Sequence, residues 1–369
     1  MAMTFYILNS TFDVIGVVDS YKSAIWTERF FTSGDFELYV PNSSYYSEIL
    51  RLPDDGHSLY VLRVDDLTKL GIIEKISYTE DPDSGDMIIA SGHTDDYLLH
   101  YRLIMEQVTY IGNIEQAIRH MIRNAFISAD IAGNTIRMTN KLALGPMANI
   151  TGDVNLQYQG QYLNEEVDKL CQEHGFGYYM SYDYSTKSFT FNLKKSTNRS
   201  LNQHTRPPVI FSGRMDNISS QEYDKELPIT AAYAYGEGNG SFKYSSDYSL
   251  PAFDEYPLER RECYVDAQNT SNNGEAMIGI VLKNLLKKEA RAMVRRAQNK
   301  NEKVVADILP DVNYVLGVDY DLGDIVQFIV ECGDDRSLIR SFKQRVTEVI
   351  ECFDENGYSC IPTFETVTN

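Results

Sequence analysis

The sequence predicts a β-rich α+β chain in which two small β domains, each a barrel or a sandwich, flank an inserted α+β region. Three observations predict it: closely spaced strand-like runs at both ends, a change of hydrophobic period after residue 95, and a weak internal repeat joining the ends. At 369 residues the chain is also too long for one compact core.

Residues 1–95 read as the first β domain. Phe5-Tyr6-Ile7-Leu8, Thr11 to Val18, Phe36 to Val40, Leu59 to Val64, Gly71 to Tyr78 and Met87 to Ala90 are short β-branched or aromatic runs. Turn clusters such as Pro53-Asp54-Asp55-Gly56 and Asp81-Pro82-Asp83-Ser84-Gly85 separate them, the spacing of a small barrel or sandwich. Residues 96–225 then change period. Ile114, Ala117, Ile118, Met121, Ile122 and Ala125 share one helical face, so a helix is predicted near 113–127. A second is predicted near 162–174, with Leu163, Val167, Leu170 and Cys171 on one face and Gly175 as its stop. A hairpin near 178–193, turning at Ser185-Thr186-Lys187, follows it. The polar stretch 195–225 with Pro207-Pro208 reads as a connecting arm.

Residues 226–302 read as a connecting region. It holds a strand at 229–235 that is free to join the second β domain, loop from 241 to 274, and a long helix over 275–300. Residues 303–369 read as the second β domain. The repeat supports that pairing of ends. Glu74-Lys75-Ile76-Ser77-Tyr78-Thr79-Glu80-Asp81, a turn and Met87-Ile88-Ile89 match Glu348 to Glu355, a turn and Ser359-Cys360-Ile361. A Gly-led strand precedes each copy, Gly56 to Val64 and Gly323 to Val330. Hairpins are degenerate, so duplication and convergence both stay open on these residues.

Composition narrows the function. The formal net charge of −19 speaks against a nucleic-acid-binding surface, which needs a basic stripe. Twenty-six Tyr against one Trp suit half-buried strands and subunit interfaces. Five cysteines, Cys171, Cys263, Cys332, Cys352 and Cys360, show neither a disulfide framework nor zinc spacing, and reduced thiols are expected. The N-terminus has no signal-peptide pattern, and no apolar run approaches the ~20 residues that span a bilayer. Synthesis in the cytoplasm and no membrane insertion are the expectation.

No catalytic, cofactor or metal set assembles from the sequence, and none is expected. His93-Thr94-Asp95-Asp96 with His100 is the best metal candidate, but no helical period joins these residues. They read as solvated or capping residues where a strand meets a loop. Asp319-Tyr320-Asp321-Leu322-Gly323-Asp324 lacks the closing glutamate of a calcium loop and reads as an acidic turn. Gly236-Glu237-Gly238-Asn239-Gly240 has no following Lys-Ser/Thr and reads as a plain loop rather than a phosphate cradle. The long helix is different in charge. Lys283, Lys287, Lys288, Arg291, Arg295, Arg296, Lys300 and Lys303 stand against Glu289 and Glu302 alone. Its apolar face is Leu282, Leu286, Ala290, Met293 and Ala297. A solvated basic face is one reading; docking of Lys287, Lys288, Arg291 and Arg295 on an acidic neighbouring subunit is the other.

Certain residues carry a resemblance. Phe5-Tyr6-Ile7-Leu8, Val14-Ile15-Gly16-Val17-Val18, Trp26-Thr27-Glu28-Arg29-Phe30 and Gly34-Asp35-Phe36-Glu37-Leu38-Tyr39-Val40-Pro41 resemble the opening of siphophage and prophage tail-tip proteins. That family is baseplate-hub-like and includes the N-terminal module of tail-associated lysins. Tyr320-Asp321-Leu322-Gly323-Asp324-Ile325-Val326 and Arg345-Val346-Thr347-Glu348 resemble its second barrel. The resemblance implies two tube-type barrels per chain and a homotrimer whose six barrels continue the tail tube. It implies a structural, non-enzymatic role at the virion tail tip. The implied partners are tail-tube, distal tail and fibre or receptor-binding proteins, with DNA passing through unbound. Two other readings stay open. A carbohydrate-binding adhesin would use Tyr-rich loops such as Phe242-Lys243-Tyr244-Ser245-Ser246-Asp247-Tyr248, and a metal hydrolase would use His93 and Asp95.

Overall fold

Runs such as Phe5–Leu8 and Leu59–Arg63 leave almost no polar alternate position, and such strands need both faces covered. The computed structural model of the chain supplies that cover. It describes all residues except 1–2, 81–84, 106–107, 129–134, 159, 237–243, 254, 268–278, 300–301, 310–311, 333–337, 356 and 368–369. The expected turn at Asp81 to Ser84, most of the glycine loop after Gly236, the helix onset near 275 and Lys300 therefore lie outside the described residues.

The N-terminal elements are β1 (Phe5–Leu8), β2 (Val14–Val18), β3 (Ser23–Arg29), β4 (Asp35–Pro41), α1 (Ser44–Ile49), β5 (Leu59–Arg63), β6 (Leu70–Thr79) and β7 (Met87–Thr94). A 3-10 turn, Asp95–Tyr101, leads on to β8 (Val108–Asn113) and α2 (Ile114–Ile122), which continues as a π turn, Arg123–Ile127. Then come β9 (Leu142–Leu144), β10 (Asp153–Tyr158), α3 (Leu163–His174), β11 (Phe176–Asp183), β12 (Ser188–Lys195) and β13 (Ile210–Ser212). The rest are β14 (Ile218–Lys225), β15 (Ala231–Tyr235), β16 (Ser245–Ser249), β17 (Glu262–Asp266), α4 (Gly279–Asn299) and β18 (Glu302–Ile308). The chain ends in β19 (Ile325–Cys332), β20 (Leu338–Asp354) and β21 (Gly357–Thr366).

The principal sheet has 11 strands in the order β13-β19-β20-β3-β4-β7-β6-β5-β1-β2, with β21 on β20. The two repeated hairpins are present as two meanders, β5-β6-β7 and β19-β20-β21, and both belong to this one sheet. β3 joins them, because Ser23 to Arg29 pairs antiparallel with Glu348 to Asp354 on one side and with β4 on the other. The order runs open from β13 to β2, and no pairing among the described residues closes a barrel.

Two compact units follow from the packing: residues 1–217, 308–327 and 344–365, and residues 218–307, 328–343 and 366–369. In the first unit, strand alternation splits neighbours between two cores. Ile7 and Val61 join Phe5, Trp26, Phe36, Leu38 and Ile88 with α1. Leu8 and Leu62 join Phe30, Leu99 and the apolar faces of α2 and α3. All six periodic positions from Ile114 to Ala125 are buried, as are Leu163, Val167, Leu170 and Cys171 of α3. Gly175 ends α3 in the left-handed region at φ 73°.

In the second unit, Ala232 and Ala234 of β15 lie under Leu282, Leu286, Ala290 and Val294 of α4. Several expectations are corrected here. Residues 195–225, read as an arm, carry β13 and β14, and the loop stretch 241–274 carries β16 and β17. β14, β16 and β17 are mostly polar and β13 is only 3 residues long, so no apolar period marks them. β14 instead pairs with β18, helped by Lys225 Nζ–Glu302 Oε1 at 2.7 Å and a Ser220 hydroxyl donating to Asp307 at 2.5 Å. The strand at 229–235 pairs as β15 with β16 and β17, not with the terminal strands, and its Ala232 and Ala234 form the floor for α4. Within α4, Val294 takes the buried position expected for Ala297.

Candidate functional site

A cavity of about 710 Å³ opens in the first unit, lined among others by Trp26, Lys69, Asp95, Asp96, Tyr178 and Lys194. The end of β7 delivers its acids. Thr94 accepts from the Gly34 backbone N–H at 2.8 Å and donates to Asp96 Oδ1 at 2.5 Å. That tether turns Asp95 and Asp96, in the first turn of the 3-10 segment, inward to 4% and 7% exposure. α3 brings Asp168, whose Oδ1 accepts from the Tyr178 hydroxyl at 2.6 Å.

Asp95 and Asp96 thus line the cavity, and Asp168 lies near enough for its charge to act on Asp96. Burial, then the neighbouring charges of Asp168 and Glu28, pushes Asp96 up to about 7 against the pull of the Thr94 hydroxyl. Burial also lifts Asp168, to about 6. Asp95 is raised well above the usual carboxylate range by burial and by Asp96 beside it, and its Oδ2 has no hydrogen-bond partner. Burial thus keeps Asp95 and Asp96 protonated to a higher pH than an ordinary carboxylate. The cavity rim is ion-paired, Lys69 with Glu28 at 2.5 Å and Lys194 with Asp321 at 2.8 Å.

The sequence grouped His93, Asp95, Asp96 and His100 as a metal candidate, and the fold separates their roles. His93 Nδ1 pairs with Glu74 and its ring stacks on Tyr97 at 3.8 Å. Tyr97 stacks in turn on His100 at 4.7 Å, and His100 on Tyr162 at 4.7 Å. The imidazoles are rungs of an aromatic ladder, while the aspartates face the protein interior. Among the described residues no group of three or more His, Cys, Asp or Glu could hold a metal ion. Of the two roles read for Asp95 and Asp96, solvated or capping, the first is corrected: both are buried in the first turn of the 3-10 segment. Asp168 and Tyr178 escaped the sequence reading because tertiary packing alone brings them to residue 96.

Beside this cavity, Arg63 is 3% exposed. It pairs with Asp65 at 2.7 Å and with Glu351, and lies over the rings of Trp26 and Phe353 at 5.5 and 5.6 Å. The acidic turn before β19 is likewise structural. Asp324 is buried against Arg199 Nε at 2.7 Å, and Gly323 takes φ 90°.

Lys287, Lys288, Arg291 and Arg295, which the sequence offered for docking on a neighbour, are all exposed on α4. Arg291 lies over the Tyr248 ring at 5.6 Å. Tyr248, offered by the sequence as a sugar-stacking loop residue, is on β16 and packs under the helix. No helix among the described residues is long and apolar enough to cross a membrane.

A model of the Siphovirus ReqiPepy6 Gp37-like protein family matches residues 4–364. No curated protein matches the chain. Solved structures that share the fold include three tail proteins. The prophage MuSo2 43 kDa tail protein from Shewanella oneidensis is 9% identical, with 98% of each chain covered and a TM-score of 0.54. The tail protein from Neisseria meningitidis MC58 is 11% identical, with 99% of this chain and 97% of that one covered and a TM-score of 0.54. Prophage tail protein gp18 from Listeria monocytogenes EGD-e is 10% identical, with 98% and 94% covered and a TM-score of 0.53.

Proposed function

The chain belongs to the Siphovirus ReqiPepy6 Gp37-like family of phage tail proteins, and from that premise we propose that it is a structural hub subunit of a siphophage or prophage tail tip. The observation that carries the reading is the match to a tail-protein family across nearly the whole chain, residues 4–364. The two meanders support it. Three copies would supply six such β modules, enough to continue a sixfold tube, so the working form is a homotrimeric ring. The ring adapts the end of the tail tube and anchors fibre or receptor-binding proteins. It acts without catalysis.

The net charge of −19 fits the same role. DNA must pass the ring without being held, and an acidic lumen repels phosphates, whereas a basic one would release them slowly. Cryo-electron microscopy of virions carrying an epitope tag at the C-terminus tests the placement. Density for the tag at the distal end of the tail, in three copies, is the expected result. Labelling along the shaft, or virions that lack the protein, overturns it.

A further inference from the structure

The small sheet of the second unit has two unlike faces. Its register puts Ala232 and Ala234 beside Tyr248, Cys263 and Val265, and these pack with α4. The alternate positions, Tyr233 and Tyr235 with Asp247, Glu262, Tyr264 and Asp266, point to the opposite side. There Asp247, Glu262 and Asp266 are exposed and Tyr264 is 57% exposed. The Tyr235 and Tyr264 rings stack at 5.2 Å. Arg260 already uses one end of this face, lying over Tyr233 at 5.8 Å while it pairs with Glu262. Tyrosine rings set among carboxylates in this way receive guanidinium and ammonium groups.

On the other side of the same sheet, α4 exposes Lys283, Lys287, Lys288, Arg291, Arg295 and Arg296 against the single acid Glu289. We infer that α4 of one copy docks on the tyrosine-and-carboxylate face of the β15, β16 and β17 sheet of the next copy. The occupant is a second copy because the chain supplies both halves of the match. Copies carrying −19 repel one another overall, so this is where approach is favoured. Helix and receiving face lie on opposite sides of one sheet, so the contact is heterologous. Such contacts close into rings or run on as filaments. The assignment rests on the ring reading above and gives it a chemical joint.

The test uses the complete chain and sedimentation velocity at low salt. A helix variant, Lys287→Glu/Lys288→Glu/Arg295→Glu, spares Arg291 because that residue also packs on Tyr248. A face variant, Asp247→Lys/Asp266→Lys, reverses the receiving side. Each is expected to weaken self-association about 100-fold, with the effect fading at about 0.5 M salt. Combining both sets in one chain restores association to within about tenfold of wild type. Tyr264→Ser, which alters no charge, weakens it by about tenfold. Circular dichroism checks that each variant folds. If the helix variant dissociates while the face variant and Tyr264→Ser assemble normally, the receiving face is wrong and the ring reading stands. A wild-type chain that is monomeric at every concentration overturns the ring and this joint together. Glycan binding that the face variant abolishes, with assembly unchanged, makes the face a sugar surface and overturns the inference.

Discussion

Asp96 supplies a sharp stability test, because its protonation is set by a pocket the unfolded chain lacks. Its carboxyl rises from 3.8 to about 7 on folding. The folded state therefore binds more protons than the unfolded state between those values, and stability falls as pH rises through that window. At 1.36 kcal/mol per pH unit, the rise corresponds to about 4 kcal/mol lost once the pH exceeds about 7. Asp168, raised to about 6, adds a loss of the same sign over a narrower window. Asp96→Asn removes the ionisation and keeps an oxygen to accept from Thr94. The amide nitrogen then needs a partner in a tight site, which costs about 1 kcal/mol. The variant should be more stable than wild type by about 2–3 kcal/mol at alkaline pH and no better below about pH 4. Trp26 is the only tryptophan, is 2% exposed and lines the same cavity, so its fluorescence in urea reports this unit. A wild-type midpoint that is flat or rising from pH 5 to 8 would refute the reasoning, as would a variant with no gain at alkaline pH.

Three further outcomes are expected. Glu351→Gln leaves the buried Arg63 with only Asp65 and should cost about 3 kcal/mol, whereas Arg63→Met/Glu351→Leu should recover most of it; urea melts of both variants decide. Glu115 is fully buried and accepts from the Ala148 and Ile150 backbone N–H groups at 2.7 and 2.8 Å. Glu115→Gln can serve only one of them, so a loss of about 1–3 kcal/mol and faster hydrogen exchange at one of these amides are expected. Gly323→Ala adds a Cβ that would lie 2.1 Å from the Phe30 ring, at φ 90°. It should cost at least about 3 kcal/mol, and a melting temperature within a few degrees of wild type would contradict the packing described.

Local patterns made part of the fold readable. The 3.6 period of Ile114 to Ala125 and the Gly175 stop are properties of a few consecutive residues, and both are where they were expected. The paired meanders were visible for the same reason, since each hairpin carries its own turn. β3 was not visible. Ser23-Ala24-Ile25-Trp26-Thr27-Glu28-Arg29 mixes charge into a central strand, and those charges have distant partners. Arg29 meets Asp35 at 2.6 Å and Glu348 at 2.6 Å, the latter 319 residues away. No window of sequence contains both sides of that pairing. Its consequence, one sheet containing both meanders, was equally hidden.

The site shows the same limit from the opposite direction. His93, Asp95, Asp96 and His100 are close in sequence, which made them look like one constellation, but a strand end followed by a 3-10 turn sends the imidazoles and the carboxyls to different surroundings. The imidazoles went to an aromatic ladder and the carboxylates to the interior, where their partner Asp168 arrives on α3. The basic helix was readable because its charges repeat on a local period. The face that would receive it was not, because Tyr235, Asp247 and Tyr264 come from three strands that meet only through pairing. A surface formed by register leaves no contiguous trace. For a subunit proposed to work only in a ring, that is the part of the chemistry that structure must supply: one half of the joint lies along a single helix, and the other exists only after folding.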